Sequence, residues 1–350
     1  MTRMIYLFSS IRSFSLLLSL AFLVVWSSLL YADEWELLRS NLVLEDLSFG
    51  PTEAPMPGWG GRRSSFSISA DGTVLALGNG EERSNNDWIN PGAVRVFKLS
   101  DQWRQLGNLI RGTQPEHGLG TNVSLNENGS LIAIGARKNM SSSYDRLVPQ
   151  AGAQLFRLDG DDWTQIGDDV ARSRWQTGET DEFFLCNSLD PQSFAEVSQS
   201  GTILVVAEAD DNYGCSGLRA FEYREGNLSQ LGSSFKDASP YESEVNKISV
   251  SEDGSTFGYA DFFGYEDRTD GGSNRVYSVR ILRYIDGDWR LVAAEMPFTS
   301  LQFMALSENG EEVVVGYLEN STDFFGNLCT WRTVRYKVSI DEWTELWSAC

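Results

Sequence analysis

Histidine is almost missing: His117 stands alone among 350 residues. A Ser-His-Asp or Cys-His relay would have to be built on that one side chain. No Gly-x-Ser-x-Gly elbow accompanies it, so His117 reads as a solvated loop residue. Cysteine is scarce too. There are four, Cys186, Cys215, Cys329 and Cys350, and none is spaced as Cys-x-x-Cys. With so little histidine, a zinc ligand set is lacking, and neither a metal nor a cofactor is expected. Glycine-rich phosphate loops are absent as well; the glycines fall in turns. Basic residues are outnumbered, 28 against 49 acids, for a formal net charge of −21. That balance opposes nucleic acid, whose phosphates need Lys and Arg to displace counterions. It opposes an anionic membrane surface for the same reason and suits a soluble protein outside the cell.

Long apolar runs occur only at the start. Arg3 and Arg12 precede Phe14 to Leu30, which serines alone interrupt, and Tyr31-Ala32 then meets Asp33-Glu34-Trp35. A basic start, an apolar stretch and a small residue before a polar chain read as a secretory signal peptide over 1–32. The rival reading is an uncleaved signal anchor, which would tether the chain to a membrane. The run is shorter than the roughly 20 residues a spanning helix needs, so cleavage is expected, with no stable membrane span in the mature chain.

Repetition is what the chain has in abundance. Five segments share an alternating strand, a small-residue turn and a second apolar strand: Ser67 to Gly78, Val123 to Gly135, Glu196 to Glu208, Ser249 to Asp261 and Ala305 to Tyr317. Their turns are Asp71-Gly72, Asn128-Gly129, Ser200-Gly201, Asp253-Gly254 and Asn309-Gly310, with glycines 57, 72, 53 and 56 residues apart. Such pairs suit tight two-residue hairpins, which need positive φ. A second hairpin follows each, as in Ala93 to Leu99 then Asp101 to Ile110. Trp103, Trp163, Trp289 and Trp343 recur at one position in it, with Leu228 once in their place. Their expected role is packing between neighbouring sheets.

Each repeat is thus four antiparallel strands, and five fill 64–350. The expected fold is an all-β, five-bladed β-propeller; a linear β-solenoid is the alternative, with usually shorter repeats. Residues 33–63 hold an N-terminal strand and a Pro-rich linker. Trp35 to Leu44 reads as an orphan fourth strand that latches the ring, or equally as a short helix.

The phrase alternating strand, Asp-Gly, apolar strand, Gly-x-Val-x-Val-Phe, Trp-x-x-Leu-Gly resembles the FG-GAP-like repeats of integrin-alpha-type propellers. Gly118 to Leu125 is similar to that family's Phe-Gly-x-Ser-Val strand, with Leu119 where Phe is usual. The resemblance implies a propeller over 64–350 and says little about function. Calcium-binding members carry an Asp-x-Asp-x-Asp-Gly type loop. No loop here has that spacing, so no calcium site transfers to any residue.

In an up-down blade, connections 1→2 and 3→4 share one end; 2→3 and 4→1 share the other. The second kind are long here: Asn79 to Pro91, Arg137 to Gln150, Ala171 to Pro191 and Phe262 to Ser273. One face therefore carries the excursions, which makes it the ligand surface. The cysteines also fall at that end. Export permits disulfides, and Cys186–Cys215 and Cys329–Cys350 need the least chain distortion, although other pairings are open. Asn122, Asn128, Asn139, Asn227 and Asn320 begin Asn-x-Ser/Thr sequons; Asn139, Asn227 and Asn320 are the best-placed glycosylation acceptors.

The long loops carry Trp88, Tyr144, Trp175, Phe183, Phe184, Tyr213, Phe262, Phe263 and Tyr265, together with Phe324 and Phe325. Exposed aromatics stack on sugars or anchor protein partners; local packing is their other role. The expected function is a binding or adhesion module for a protein or glycan ligand, not an enzyme. The alternative is a carboxylate-dependent glycan hydrolase, since paired acids are the only catalytic chemistry the composition permits. Its candidates are Asp181, Glu182, Asp210, Asp211, Asp261 and Asp267.

Overall fold

A computed structural model describes residues 64–80, 91–113, 118–136, 153–170, 191–210, 217–236, 245–267, 273–293, 296–299, 301–317, 321–322, 328–329, 332–339 and 342–349. The leader and linker expected over 1–63, and His117, lie outside them. Every regular element among the described residues is a strand.

The first sheet runs β1 (Ser64–Ile68), β2 (Val74–Asn79), β3 (Ala93–Leu99), β4 (Trp103–Gln105), with β5 (Ile110–Arg111) also on β3. The second is β6 (Asn122–Leu125), β7 (Leu131–Gly135), β8 (Ala153–Asp159) and β9 (Asp162–Val170). The third is β10 (Pro191–Val197), β11 (Ile203–Asp210), β12 (Gly217–Arg224) and β13 (Asn227–Lys236). The fourth is β14 (Val245–Val250), β15 (Thr256–Asp267), β16 (Ser273–Ile285) and β17 (Asp288–Leu291), with β18 (Met296–Thr299) on β16. In the fifth, β19 (Leu301–Leu306) and β20 (Glu312–Tyr317) precede the small hairpin β21 (Ser321–Thr322) and β22 (Leu328–Cys329). Then β23 (Arg332–Ser339) and β24 (Glu342–Ala349) complete it. All five sheets are antiparallel and keep sequence order, so none borrows its core strands from another repeat.

The turn between the first two strands differs from the expected two-residue form. Gly72 N–H donates to the Ser69 carbonyl at 2.9 Å, and within that turn Gly72, not Asp71, has positive φ. This is a type I turn closed by a left-handed glycine, repeated at Gly129, Gly201, Gly254 and Gly310. Side chains explain the choice. Asp71 Oδ1 accepts from the Thr73 amide, and Ser69 Oγ accepts from the Val74 amide, both at 2.9 Å. Ser307 and Asn309 repeat the pattern in the fifth sheet. These local bonds favour the type I form over its mirror image. Positive φ at both central residues appears in the second hairpins instead, at Glu225-Gly226 and Asp286-Gly287.

Two devices tie each sheet to the next, and a third joins two of those pairs. The turns form a relay of backbone bonds: Ala70 to Glu127, Glu127 to Gln199, Ser200 to Glu252 and Glu252 to Glu308, all at 2.9 Å. On the inner strands, Ser67, Ser124, Glu196 and Ser249 each accept from the amide of the following sheet, at Leu125, Val197, Val250 and Leu306. On the outer strands, Trp163 donates Nε1–H to Leu106 and Trp289 does so to Leu231. Apolar clusters fill the space between sheets. Val74, Ala76, Val94 and Val96 meet Val123, Leu125, Ile132 and Trp163, for example. Four-stranded sheets following one another with the first strand innermost have the arrangement of a β-propeller.

Candidate functional site

The fourth sheet projects past its neighbours. β15 has 12 residues and β16 has 13, against 6 and 7 in β2 and β3. Pairing continues from Asp261↔Ser278 to Asp267↔Ser273 with one irregularity between Phe262 and Gly264. At roughly 3.4 Å per residue this adds an arm of about 15–20 Å. The stretch expected as a loop from Phe262 to Ser273 is therefore strand up to Asp267. The reason lies across the ladder: Phe262, Gly264, Tyr265, Glu266 and Asp267 each meet a partner on β16, and the aromatic residues among them suit a ladder.

The base of the arm is fixed by chemistry. Arg280 Nη1 lies 2.5 Å from Asp261 Oδ2, and the side chains are 4% and 1% exposed. Asp261 pairs with Ser278 and Tyr259 with Arg280, so the ion pair is a diagonal cross-strand contact. The guanidinium carbon lies 5.8 Å from the Tyr259 ring centre, and Tyr259 meets Phe235 edge-on at 5.9 Å. A one-residue slip would strand a buried charge, so the pair holds the register. On the outer side β18 pairs with Val276 to Val279, and Phe298 packs against Tyr317 at 5.2 Å.

Phe262, Phe263 and Tyr265 thus share one hydrogen-bonded arm. Trp88, Tyr144, Trp175, Phe183, Phe184 and Tyr213 lie outside the described residues, as do Cys186, Cys215, Cys350, Asn139 and Asn320. Cys329 has its backbone in β22, opposite Ser321. Asn227 is exposed at the start of β13. Two other sequons are occupied by structure: Asn122 Oδ1 accepts from Ala195, and Asn128 Oδ1 from Ser130.

Of the candidate acids, Asp261 is engaged by Arg280 inside the protein, an anchoring role unlike that of an acid facing solvent. Asp210 and Asp267 end β11 and β15; Asp181, Glu182 and Asp211 lie outside the described residues. A carboxyl that sequence reasoning missed is Glu196. Its Oε1 accepts from Val250 at 3.1 Å, and burial pushes it up to about 8. The available signal was its place in the repeat, where the other sheets carry Ser67, Ser124 and Ser249. Among the described residues no three His, Cys, Asp or Glu side chains gather as a metal site, and no helix is long and apolar enough to cross a membrane.

No family model matches the sequence, and no curated protein resembles it in sequence. Similar solved structures include the periplasmic gluconolactonase PpgL of Pseudomonas aeruginosa, with TM-score 0.40 and 12% identity over 85% of this chain and 88% of that one. The β-propeller domain of the Trilobed protease from Pyrococcus furiosus gives TM-score 0.41 and 10% identity over 81% and 70%. The Dos1 propeller gives 0.42 and 11% over 79% and 55%. The last two of these are described as β-propellers.

Proposed function

We propose that the chain is a secreted, acidic, five-bladed β-propeller of the FG-GAP-like type. It binds a protein or glycan ligand through its long-loop end and is not an enzyme. The observation that carries this reading is the arm of the fourth sheet. Phe262 and Tyr265 stand at paired strand positions, with Phe263 at the irregularity between them, rather than on a loop, and a contact surface built that way loses little entropy on binding. The net charge of −21 directs the surface toward ligands that are neutral or basic. The same reading proposes a leader over 1–32, disulfides Cys186–Cys215 and Cys329–Cys350, and glycans on Asn139, Asn227 and Asn320.

The test is a glycan array and a pull-down from extracellular protein, both with the mature chain. Replacing Phe263 and Tyr265 by Ala should weaken capture at least about tenfold, the usual loss at aromatic anchors, with an unchanged melting temperature. Undiminished capture would move the contact elsewhere. Hydrolysis of an array glycan would turn the reading to a carboxylate hydrolase.

A further inference from the structure

The root of the arm holds a buried hydroxyl that the protein's own hydrogen bonds leave out. At one equivalent place in three sheets, Asn79, Glu208 and Asp261 stand opposite Ala93, Gly217 and Ser278 across the ladder. The fourth sheet thus carries a polar side chain where the first and third carry none. Ser278 is 1% exposed, and its Oγ has no hydrogen-bond partner.

The other buried serines among the described residues are all bonded. Ser69, Ser198, Ser249, Ser251 and Ser307 each accept a backbone amide, from Val74, Ile203, Leu306, Thr256 and Glu312 in turn. Gln154 holds the place in the second sheet that Arg280 holds in the fourth. It is buried too, and it donates to Asp169 Oδ1 at 2.8 Å. A hydroxyl taken out of water without a partner is costly, and the chain avoids that cost at every one of these positions.

The surroundings of Ser278 suit a solvent molecule. Residues opposite each other in a ladder share a face, and so do alternate residues of one strand. Tyr259, Asp261, Ser278 and Arg280 therefore lie on one face of the fourth sheet, and all four are buried. That face is turned to the third sheet, because Tyr259 packs with Val205, Ala207, Leu218 and Phe235. A carboxylate offers about four acceptor sites, more than the one Arg280 nitrogen bound to Asp261 fills. Asp261 and Arg280 cancel in charge, so a neutral guest fits better than an ion. Water needs two to four polar partners, and oxygens of Ser278, Asp261 and Tyr259 stand on this face.

We propose that one ordered water molecule binds at the root of the arm, accepting from the Ser278 hydroxyl and donating to the Asp261 carboxylate. The bridge joins β16 to β15 beside the ion pair. Solvent is then a part of the joint from which the arm extends, whatever ligand the long-loop end takes.

Two measurements on the mature chain test it. A high-resolution crystal structure should show one solvent peak about 2.8 Å from Ser278 Oγ. Ser278→Ala, which places at this position the residue of the first sheet, removes one anchor of the water and should lower the melting temperature by about 2 °C or more. An unbonded hydroxyl predicts the reverse, since its removal relieves a buried polar group. A raised or unchanged melting temperature would therefore overturn the proposal. So would density in which Ser278 bonds directly to protein with no solvent beside it. The crystallographic reading needs no variant, so it stands even if the substituted chain does not fold.

Discussion

Trp163 donates its indole N–H to the Leu106 carbonyl at 2.9 Å, and its ring fills the space that a side chain on the next residue would need. A Cβ on Gly107 would lie 2.6 Å from Trp163 Cδ1, and Gly107 has φ +78. Gly167, the same position one sheet on, has φ +65 and nothing within 4 Å. The difference follows from the third sheet, which carries Leu228 instead of Trp. Gly107→Ala therefore meets backbone strain and a collision, and Gly167→Ala meets strain alone. We expect losses of about 2–4 kcal/mol for the first and about 1 kcal/mol for the second in chemical denaturation. Equal losses would deny the ring its role.

The gap beside Gly167 predicts a gain. Leu228→Trp should restore the contact seen at Trp163 and Trp289, adding up to about 1 kcal/mol and raising the melting temperature by a few degrees. A fall in melting temperature would mean that the second and third sheets approach differently from the other pairs.

Glu196 makes stability depend on pH. Its carboxyl is raised from an ordinary 4.5 to about 8 by burial, only partly offset by the Val250 amide. The folded chain keeps a proton there that the unfolded chain releases across this window. The contribution is thus fully present below pH 4.5 and is lost as pH rises to 8. Surface carboxylates such as Asp288, lowered first by the Ser233 amide and then by its own neighbour Trp289, titrate below that window. Denaturation midpoints should fall between pH 5 and 8 in the native chain and stay level in Glu196→Gln. The same slope in both proteins would place its origin in another group.

The buried pair at the base of the arm has a signature in double substitution. Asp261→Asn leaves Arg280 charged in the interior and should cost about 3–5 kcal/mol, whereas Asp261→Leu with Arg280→Met should cost markedly less. A double variant as unstable as the single one would show that the bonds to the pair outweigh its desolvation.

The repeat was legible because its period rests on residues that cannot be exchanged freely. From the second sheet on, the left-handed glycine of the turn also lies against the preceding sheet: Gly129 on Val74, Gly201 on Leu131, Gly254 on Ile203 and Gly310 on Thr256. Two independent demands on one position write a strong signal. The turn type was less legible, because Asp-Gly suits both a mirror-image hairpin and a type I turn, and the decision falls to the hydroxyl of Ser69. The arm was misread as a loop because Gly264 and the acids after it look like turn residues, while the ladder from Phe262 to Asp267 depends on partners across the strand. Glu196 was invisible as a titrating group, since burial is a property of the assembled sheets.

The turn relay has a direction, with every amide pointing to the sheet that comes later in the chain. Among the described residues the relay joins each sheet to its neighbours in the chain, and it reaches the fifth sheet from one side only. A pull on the carboxyl terminus would therefore strip the molecule from its last sheet backward, one unit per step, as beads leave a string.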